Sequence, residues 1–519
     1  LETGIPMCCM SFIFKFMNFK KLKYNNLITW DFIKFNSIQN VFWNFISGVW
    51  LALLIILSTP WYISTLGLEL YGVLSIWLVF QAMMSFFDFR LGATIIREFA
   101  GSKSDEEGDY YKQNLLKTTE IFYWCIAAII FFFLIIFSFF FSNYWFTFDS
   151  SKDINIKYIM LFMSCTLFFQ FPNVLYFNGL IGLQNHRLMN ILQICGNSLR
   201  YGMGSLILFF HNDLIWFFSI QTLVALLQTF ITRYFLRKGI NYTNKSKPVF
   251  NLNLIRISAK FSRGMALTSI AAVLISNIDR LALSKILPVS ELGKYAVAFT
   301  ATGLLQLGIQ PFYRAFFPRY AELYSSGNIE KLKDEYFFSN KLIAILIISL
   351  GVICFFFAEE IFYSWMNIID LKIVNTFRLL IFGILCSGLG WLPAAMQQAQ
   401  GWTSLHIKMI FGSILIGFPL MIVAIHFFGI MGGTVVWLIH GISDITIGLW
   451  LMHKQIFKGE FLRWYSTVVL PPVLISLPIT YLSFLLKPHN FDKIENLGWI
   501  LITGFIVVLS GFFYTLKIK

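Results

Sequence analysis

Seven basic side chains stand inside stretches otherwise apolar enough to cross a bilayer: Arg90, Arg200, Arg233, Arg280, Arg314, Arg378 and Lys408. A charge at the bilayer centre costs about 2.5–3.5 kcal/mol on insertion scales, so such groups must face a wet cavity, pair, or reach an interface. A guanidinium presents a planar fork of donors that matches phosphate oxygens, so arginines gathered in a cavity would bind an anion. Arg200 is mid-stretch among Asn197, Ser198, Gly196, Gly202 and Gly204, too far from either interface to escape. It and Arg280 are the leading anion-binding candidates, with Arg314, Arg90 and Arg378 after them. Arg233 and Lys408 read as interface anchors. Acids are scarcer, with Asp88, Asp279 and Asp444 the main ones at this depth. Asp444 follows His440 by four residues and shares its helix face. His titrates near neutral pH, so His440, Asp444, Asp279 and Asp88 are candidates for ion coupling, against a plain structural contact. Asp279 and Arg280, adjacent on a helix, are not expected to pair with each other.

The elements that must position these groups are membrane helices. Hydrophobic residues make up 57% of 519 positions and charged ones 13%, and mean hydropathy is +0.71. A helix needs about 20 apolar residues to span the hydrocarbon. Fourteen stretches qualify, near 41–64, 71–95, 119–142, 157–180, 188–211, 213–236, 264–286, 292–317, 340–362, 374–397, 405–428, 430–452, 464–486 and 496–516. With the N-terminus inside, inner segments carry 26 Lys/Arg and outer ones 7. That bias predicts both termini on the cytoplasmic side. The chain opens on Leu1; Met7, Met10 or Met17 reads as the natural start, Leu1 to Pro6 as foreign residues, and no cleavable signal peptide is recognised. The expected organisation is a cytoplasmic segment at 1–40, a first half at 41–236, a basic linker at 237–263, a second half at 264–452 and an accessory helix pair at 453–519. The net charge of +14 fits anionic lipid headgroups better than nucleic acid, because the basic residues cluster between spans.

The halves repeat. Leu-Glu-Leu-Tyr-Gly-Val at 68–73 has its counterpart in Glu-Leu-Gly-Lys-Tyr-Ala-Val at 291–297, and Gln184 in a loop at 182–187 has its counterpart in Gln400. Two six-span units entering from the same side make a parallel repeat, an arrangement that places a site between halves. At this point a family resemblance is carried by Leu66-Gly-Leu-Glu-Leu-Tyr-Gly72, Phe87-Asp-Phe-Arg-Leu-Gly92 and Arg97. It continues through Asn277-Ile-Asp-Arg-Leu-Ala-Leu-Ser284, Glu291-Leu-Gly-Lys-Tyr295 and Pro318-Arg-Tyr-Ala-Glu-Leu323. The chain resembles, over roughly 40–460, the polysaccharide flippases of the multidrug/oligosaccharidyl-lipid/polysaccharide (MOP) exporter superfamily, the O-antigen branch most closely. The resemblance implies two six-helix lobes in a V, alternating access, and a cargo of undecaprenyl-pyrophosphate carrying an oligosaccharide. That cargo would move from the inner to the outer leaflet of a bacterial inner membrane. Spans thirteen and fourteen exceed the common twelve and are shared by some members, including lipid II flippases.

Other classes fit less well. Short outer loops leave no room for a folded domain of ~50 residues, against a membrane glycosyltransferase or polymerase. A drug/cation antiporter would want an acidic cavity, and basic residues outnumber acidic ones at bilayer depth. No nucleophile–base set, no phosphate-binding loop of the Gly-x4-Gly-Lys-Ser/Thr type and no metal-ligand spacing is recognised, so neither an enzyme nor a cofactor is expected. The seven cysteines are scattered and read as reduced packing residues. Membrane lipids are expected partners, with other polysaccharide-assembly proteins as further candidates.

Overall fold

The computed structural model describes residues 28–88, 91–102, 105–148, 155–240, 248–251, 270–367, 369–402, 404–488 and 490–517. All regular structure among them is helical. Nine helices or fused helices among the described residues are long and apolar enough to cross a membrane, and the chain is a multi-pass membrane protein.

The first half contains α1 (Ile28–Phe87), α2 (Leu91–Gly101), α3 (Glu106–Trp145), α4 (Ile156–Gly182), α5 (His186–Phe210) and α6 (Leu214–Gly239). The expected spans at 41–64 and 71–95 share one continuous element, interrupted at a single non-helical residue, Gly67 (φ 81°, ψ 169°). That φ is open to glycine and strained for other residues. The second span was placed too long: helix stops at Phe87, and 91–101 is the separate, shorter α2. Asp88 accepts from the Gly92 amide at the start of α2 and from the Tyr123 hydroxyl of α3. This capping and cross-bracing accounts for the break.

The second half contains α7 (Ile278–Ile286), α8 (Val289–Ser325), α9 (Ile329–Phe356), α10 (Ala358–Met366), α11 (Leu371–Ala399), α12 (Ser404–Phe428), α13 (Val435–Ser443) and α14 (Leu449–Gln455). Residue 270 to Ile275 is helical too, and turns at Ser276 and Asn277 separate it from α7. The expected span at 264–286 is therefore a broken helix in its described part. A π-helical turn, Asp444–Gly448, joins α13 to α14. After α15 (Phe461–Trp464) come α16 (Leu470–Leu486) and α17 (Lys493–Lys517). The last two pack on α9 and α10 through Ile353, Phe357 and Val507. Lys487 bridges to Glu360 at 2.7 Å. Glu360 is enclosed by this accessory pair, because a helix end that would face water in isolation is covered by a partner far along the chain.

The repeated motifs have a common local form. Helix α4 ends with the Asn185 amide on the Leu180 carbonyl and the Gln184 amide on that of Ile181; α11 ends with Trp402 on Gln397 and Gly401 on Gln398. Both are Schellman closures with one left-handed residue, Gln184 (φ 58°) and Gly401 (φ 75°). The halves meet where the first motif packs on the second. A Cβ on Gly293 would lie 1.8 Å from the Leu68 carbonyl oxygen, and one on Gly72 would lie 2.3 Å from that of Val289. The two backbones touch because neither residue has a side chain. Tyr71 and Thr300 share a hydrogen bond of 3.1 Å beside this crossing. Trp365 adds a bond to the Ile56 carbonyl, and the Val289 amide one to that of Thr147. These contacts lie at the end opposite the basic loops.

Candidate functional site

The fold leaves a cavity of about 530 Å³ between the halves. The first half supplies most of its wall: Tyr62, Tyr71, Trp77 and Gln81 from α1, Gln170 and Asn173 from α4, Gln193, Asn197, Arg200 and Tyr201 from α5, and Gln221 and Gln228 from α6. The second half supplies Arg280 from α7 and Phe299, Thr300, Gly303 and Leu304 from α8. Two arginines and seven side-chain amides face the space. Among the described residues no carboxylate does.

Arg200 donates through Nη2 to Gln228 Oε1 at 2.8 Å, and the Gln221 amide donates to the Arg200 carbonyl at 3.0 Å. Gly196 makes this approach feasible, since a Cβ there would sit 2.1 Å from Gln228 Nε2. Gly196 and Gly204 thus let α6 press close enough to hold the guanidinium with a neutral oxygen, that of Gln228. Arg280 projects from the helix break. Its Nη2 donates to the Ser276 carbonyl (3.0 Å) and to Asn277 Oδ1 (2.6 Å), and its guanidinium carbon lies 4.2 Å from the Phe299 ring centroid. The Ser276 carbonyl is open to it because the chain leaves helical pairing at 276–277 and the Arg280 amide bonds to Asp279 instead. Four buried polar atoms on this wall have no hydrogen-bond partner among the described residues: Arg200 Nε, Arg280 Nε, Gln170 Oε1 and Asn173 Oδ1. Buried polar groups are normally satisfied. The cavity therefore offers unspent donors and acceptors to a polar, anionic guest.

The family model described as "Polysaccharide biosynthesis protein" matches residues 37–324, more than half of the chain. The chain belongs to the polysaccharide biosynthesis protein family. In fold, this family member is similar to a structure titled lipid II flippase MurJ, inward closed conformation. The TM-score is 0.66 at 15% identity, over 93% of this chain and 100% of that one. It is also similar to an inward-facing multidrug resistance MATE family transporter of the MOP superfamily (TM-score 0.64, 13% identity, 80% and 94% covered). A third is a Pyrococcus furiosus MOP superfamily transporter whose title describes a binding pocket of reverse polarity (TM-score 0.55, 14% identity, 80% and 96% covered). No curated protein matches the sequence.

The other residues singled out by sequence in this polysaccharide biosynthesis family member are dispersed. Arg314 is exposed on α8, donates to Gln310 at 3.3 Å and does not line the cavity. Arg378 is spent at the far end, on Glu359 (3.3 Å) and the Phe355 carbonyl (3.1 Å). Arg90 lies outside the described residues. Arg233, read as an interface anchor, is bonded to Glu120 of α3, which also holds Arg237 at 2.8 Å and accepts from Tyr176 at 2.6 Å. Sequence reading missed Glu120, which stands at the predicted edge of its span; its spacing on α3 gives no sign of partners on α4 and α6. Asp279 is fully buried, away from the cavity, accepting from Tyr295 (2.5 Å), Trp437 (2.9 Å) and the Arg280 amide (2.7 Å). Its Oδ1 lies 4.0 Å from Arg280 Nε. The expectation that these neighbours keep apart is corrected: the carboxylate folds back over the start of α7, whose free amide it accepts from. His440 and Asp444 approach to 3.4 Å inside the second half, also off the cavity. The five described cysteines are free.

Proposed function

We propose that this protein flips an undecaprenyl-pyrophosphate-linked oligosaccharide, an O-antigen repeat unit, from the inner to the outer leaflet of a bacterial inner membrane. The observation that carries the reading is a cavity with Arg200 on one wall, Arg280 on the other and no carboxylate among its described lining residues. A diphosphate entering it exchanges hydration for two guanidinium forks. The surrounding glutamines, asparagines and aromatic rings suit hydroxyl-rich sugars. The polyprenyl tail stays in lipid throughout. Contact at the end opposite the basic loops describes one state of an alternating-access cycle, which with a cytoplasmic N-terminus opens inward. No bond is made or broken, so the reading is of a transporter and not an enzyme. For ion coupling we retain the His440–Asp444 pair, since Asp88 and Asp279 are occupied as hydrogen-bond acceptors.

A second reading is a lipid II-type flippase, favoured by the similarity to MurJ extending over 93% of this chain, accessory helices included. A drug/cation antiporter is disfavoured by the absence of acids among the described residues of the cavity wall.

The test is surface polysaccharide in a strain whose only O-unit flippase is this chain. Arg200→Ala and Arg280→Ala are expected to abolish it while the protein remains in the membrane at normal level. Normal polysaccharide in both variants overturns the site. Rescue of a lipid II flippase deletion, without rescue of O-antigen, selects the second reading.

A further inference from the structure

A second charged recess lies on the outside of the first half, away from the cavity. It is a groove of about 490 Å³ between α3 and α6, lined by Lys117, Glu120, Trp124, Cys125, Arg233 and Arg237 together with Ile121 and Ala128. On α3 the lining positions recur at three- and four-residue intervals, so they form one helix face. Arg233 and Arg237 are one turn apart on α6 and meet them. The charges collect at one end. One carboxylate serves two guanidiniums there and Lys117 donates to the Pro248 carbonyl; among the described lining residues cations exceed acids three to one. Each guanidinium keeps 30% of its side-chain surface open, while Glu120 keeps 7%. Glu120 thus works as a buried strut presenting two accessible forks.

The other end is apolar and narrow-sided. Ile121 and Cys125 are exposed outward, and Phe230 and Tyr234 stand exposed on α6 between and beside the cations. From Lys117 to Ala128 the groove climbs eleven residues, about 16 Å at helical rise, which is half of a hydrocarbon core of about 30 Å. It is therefore one leaflet deep, cationic at the headgroup level and smooth below. Trp124 sits where the two meet, the level at which interfacial indoles concentrate. The chain leaving α6 carries five more basic residues and no acidic one between 241 and 263.

We propose that this groove binds an anionic glycerophospholipid of the leaflet at the basic end, its phosphate on Lys117, Arg233 and Arg237 and one acyl chain along Ile121, Cys125 and Ala128. The inference does not depend on what the central cavity carries. Its consequence for that cavity is mechanical: α6 offers Gln221 and Gln228 to the cavity on one side and Arg233 and Arg237 to the lipid on another. A seated lipid fixes α6 against α3.

The experiment is native mass spectrometry of the full chain in detergent with phosphatidylglycerol or phosphatidylcholine added at equal concentration. Wild type is expected to retain phosphatidylglycerol about tenfold more, the equivalent of one good charged contact. The combined variant Lys117→Gln, Glu120→Gln, Arg233→Gln, Arg237→Gln removes that preference without stranding a buried charge. Cys125→Trp, which fills the acyl lane and leaves every charge in place, is expected to lose the bound lipid. If the combined variant fails to fold, Cys125→Trp and the wild-type ratio decide. Equal retention of the two phospholipids by wild type, or undiminished phosphatidylglycerol on Cys125→Trp, overturns the proposal. So does its displacement by equimolar polyprenyl phosphate, which would assign the groove to a polyprenyl lipid instead.

Discussion

Arg200 and Arg233 belong to the same half, on neighbouring helices, the first in the middle of its span and the second towards the basic end of its own. Their surroundings differ in one respect. Arg233 faces Glu120, shared with Arg237 and Tyr176, whereas Arg200 faces a glutamine oxygen and an open cavity. The first is charge-paired on its inner side and open only on its outer one. The second is held in place by neutral groups and left electrostatically unfinished. What a guanidinium can bind inside a membrane protein thus depends on whether a carboxylate stands opposite as well as on its depth.

Removing the shared carboxylate is the sharpest way to break this contrast. Glu120→Ala leaves two guanidiniums without their counter-ion and is expected to cost about 3 kcal/mol, the low end for a broken buried pair because both arginines keep water contact. Thermal unfolding in detergent reads this. Arg200→Ala should leave stability nearly unchanged or raise it, since it deletes a buried cation that no acid neutralises. Equal losses in the two variants would erase the distinction. Next comes the meeting of the halves. Gly293→Leu overpacks a backbone contact, at about 1–3 kcal/mol. It should expose a Leu304→Cys thiol in the cavity to an impermeant maleimide from the side opposite the basic loops. Unchanged labelling would mean that this crossing is not what shuts that end. A smaller effect separates fork from charge. Arg200→Lys keeps the cation but loses two-point contact, and binding of a polyprenyl diphosphate should weaken about tenfold, or 1.4 kcal/mol; Arg233→Lys should leave that binding unaltered.

The smallest effect concerns a solvated echo of the Glu120 cluster. Glu460, between α14 and α15, likewise serves two cations, Lys333 (2.5 Å) and Arg463 (3.2 Å). The hydrogen bond from Lys333, with the charges of both cations, holds the Glu460 carboxyl below its usual range against a smaller burial effect. A lowered folded-state pKa contributes stability that is present above the unfolded carboxylate value, about 4.3, and lost as pH falls through the folded one. The cluster is near water, so the contribution is about 0.2–1 kcal/mol. Lys333→Gln should flatten this part of the acid-unfolding profile, and an unchanged slope would show the pair to be inert.

Sequence carried the all-helical class well because lipid imposes a length and a polarity that accumulate along one helix. It singled out Arg200 because neither interface is within that side chain's reach, and the structure puts it on the cavity wall. It was blind to what lies across helices. Nothing near Glu120 announces Arg233 and Arg237 more than a hundred positions on, and nothing near Glu360 announces Lys487. The amides of the cavity were equally hidden: Gln170, Gln193 and Gln228 look unremarkable singly and converge only when α4, α5 and α6 are packed. Gly67 was passed over because hydropathy expects two spans to be parted by a loop, and one residue of positive φ suffices.

The bare-backbone crossing of Gly72 and Gly293 has a thermodynamic corollary. A seal made of ion pairs loosens in brine and tightens in dilute buffer, whereas this one rests on dispersion between main chains and on neutral hydrogen bonds such as those of Tyr71, Trp365 and the Val289 amide. Ionic strength therefore has little grip on it. Squeezing or thinning the surrounding bilayer does, because lateral pressure acts directly on how closely two helices stand.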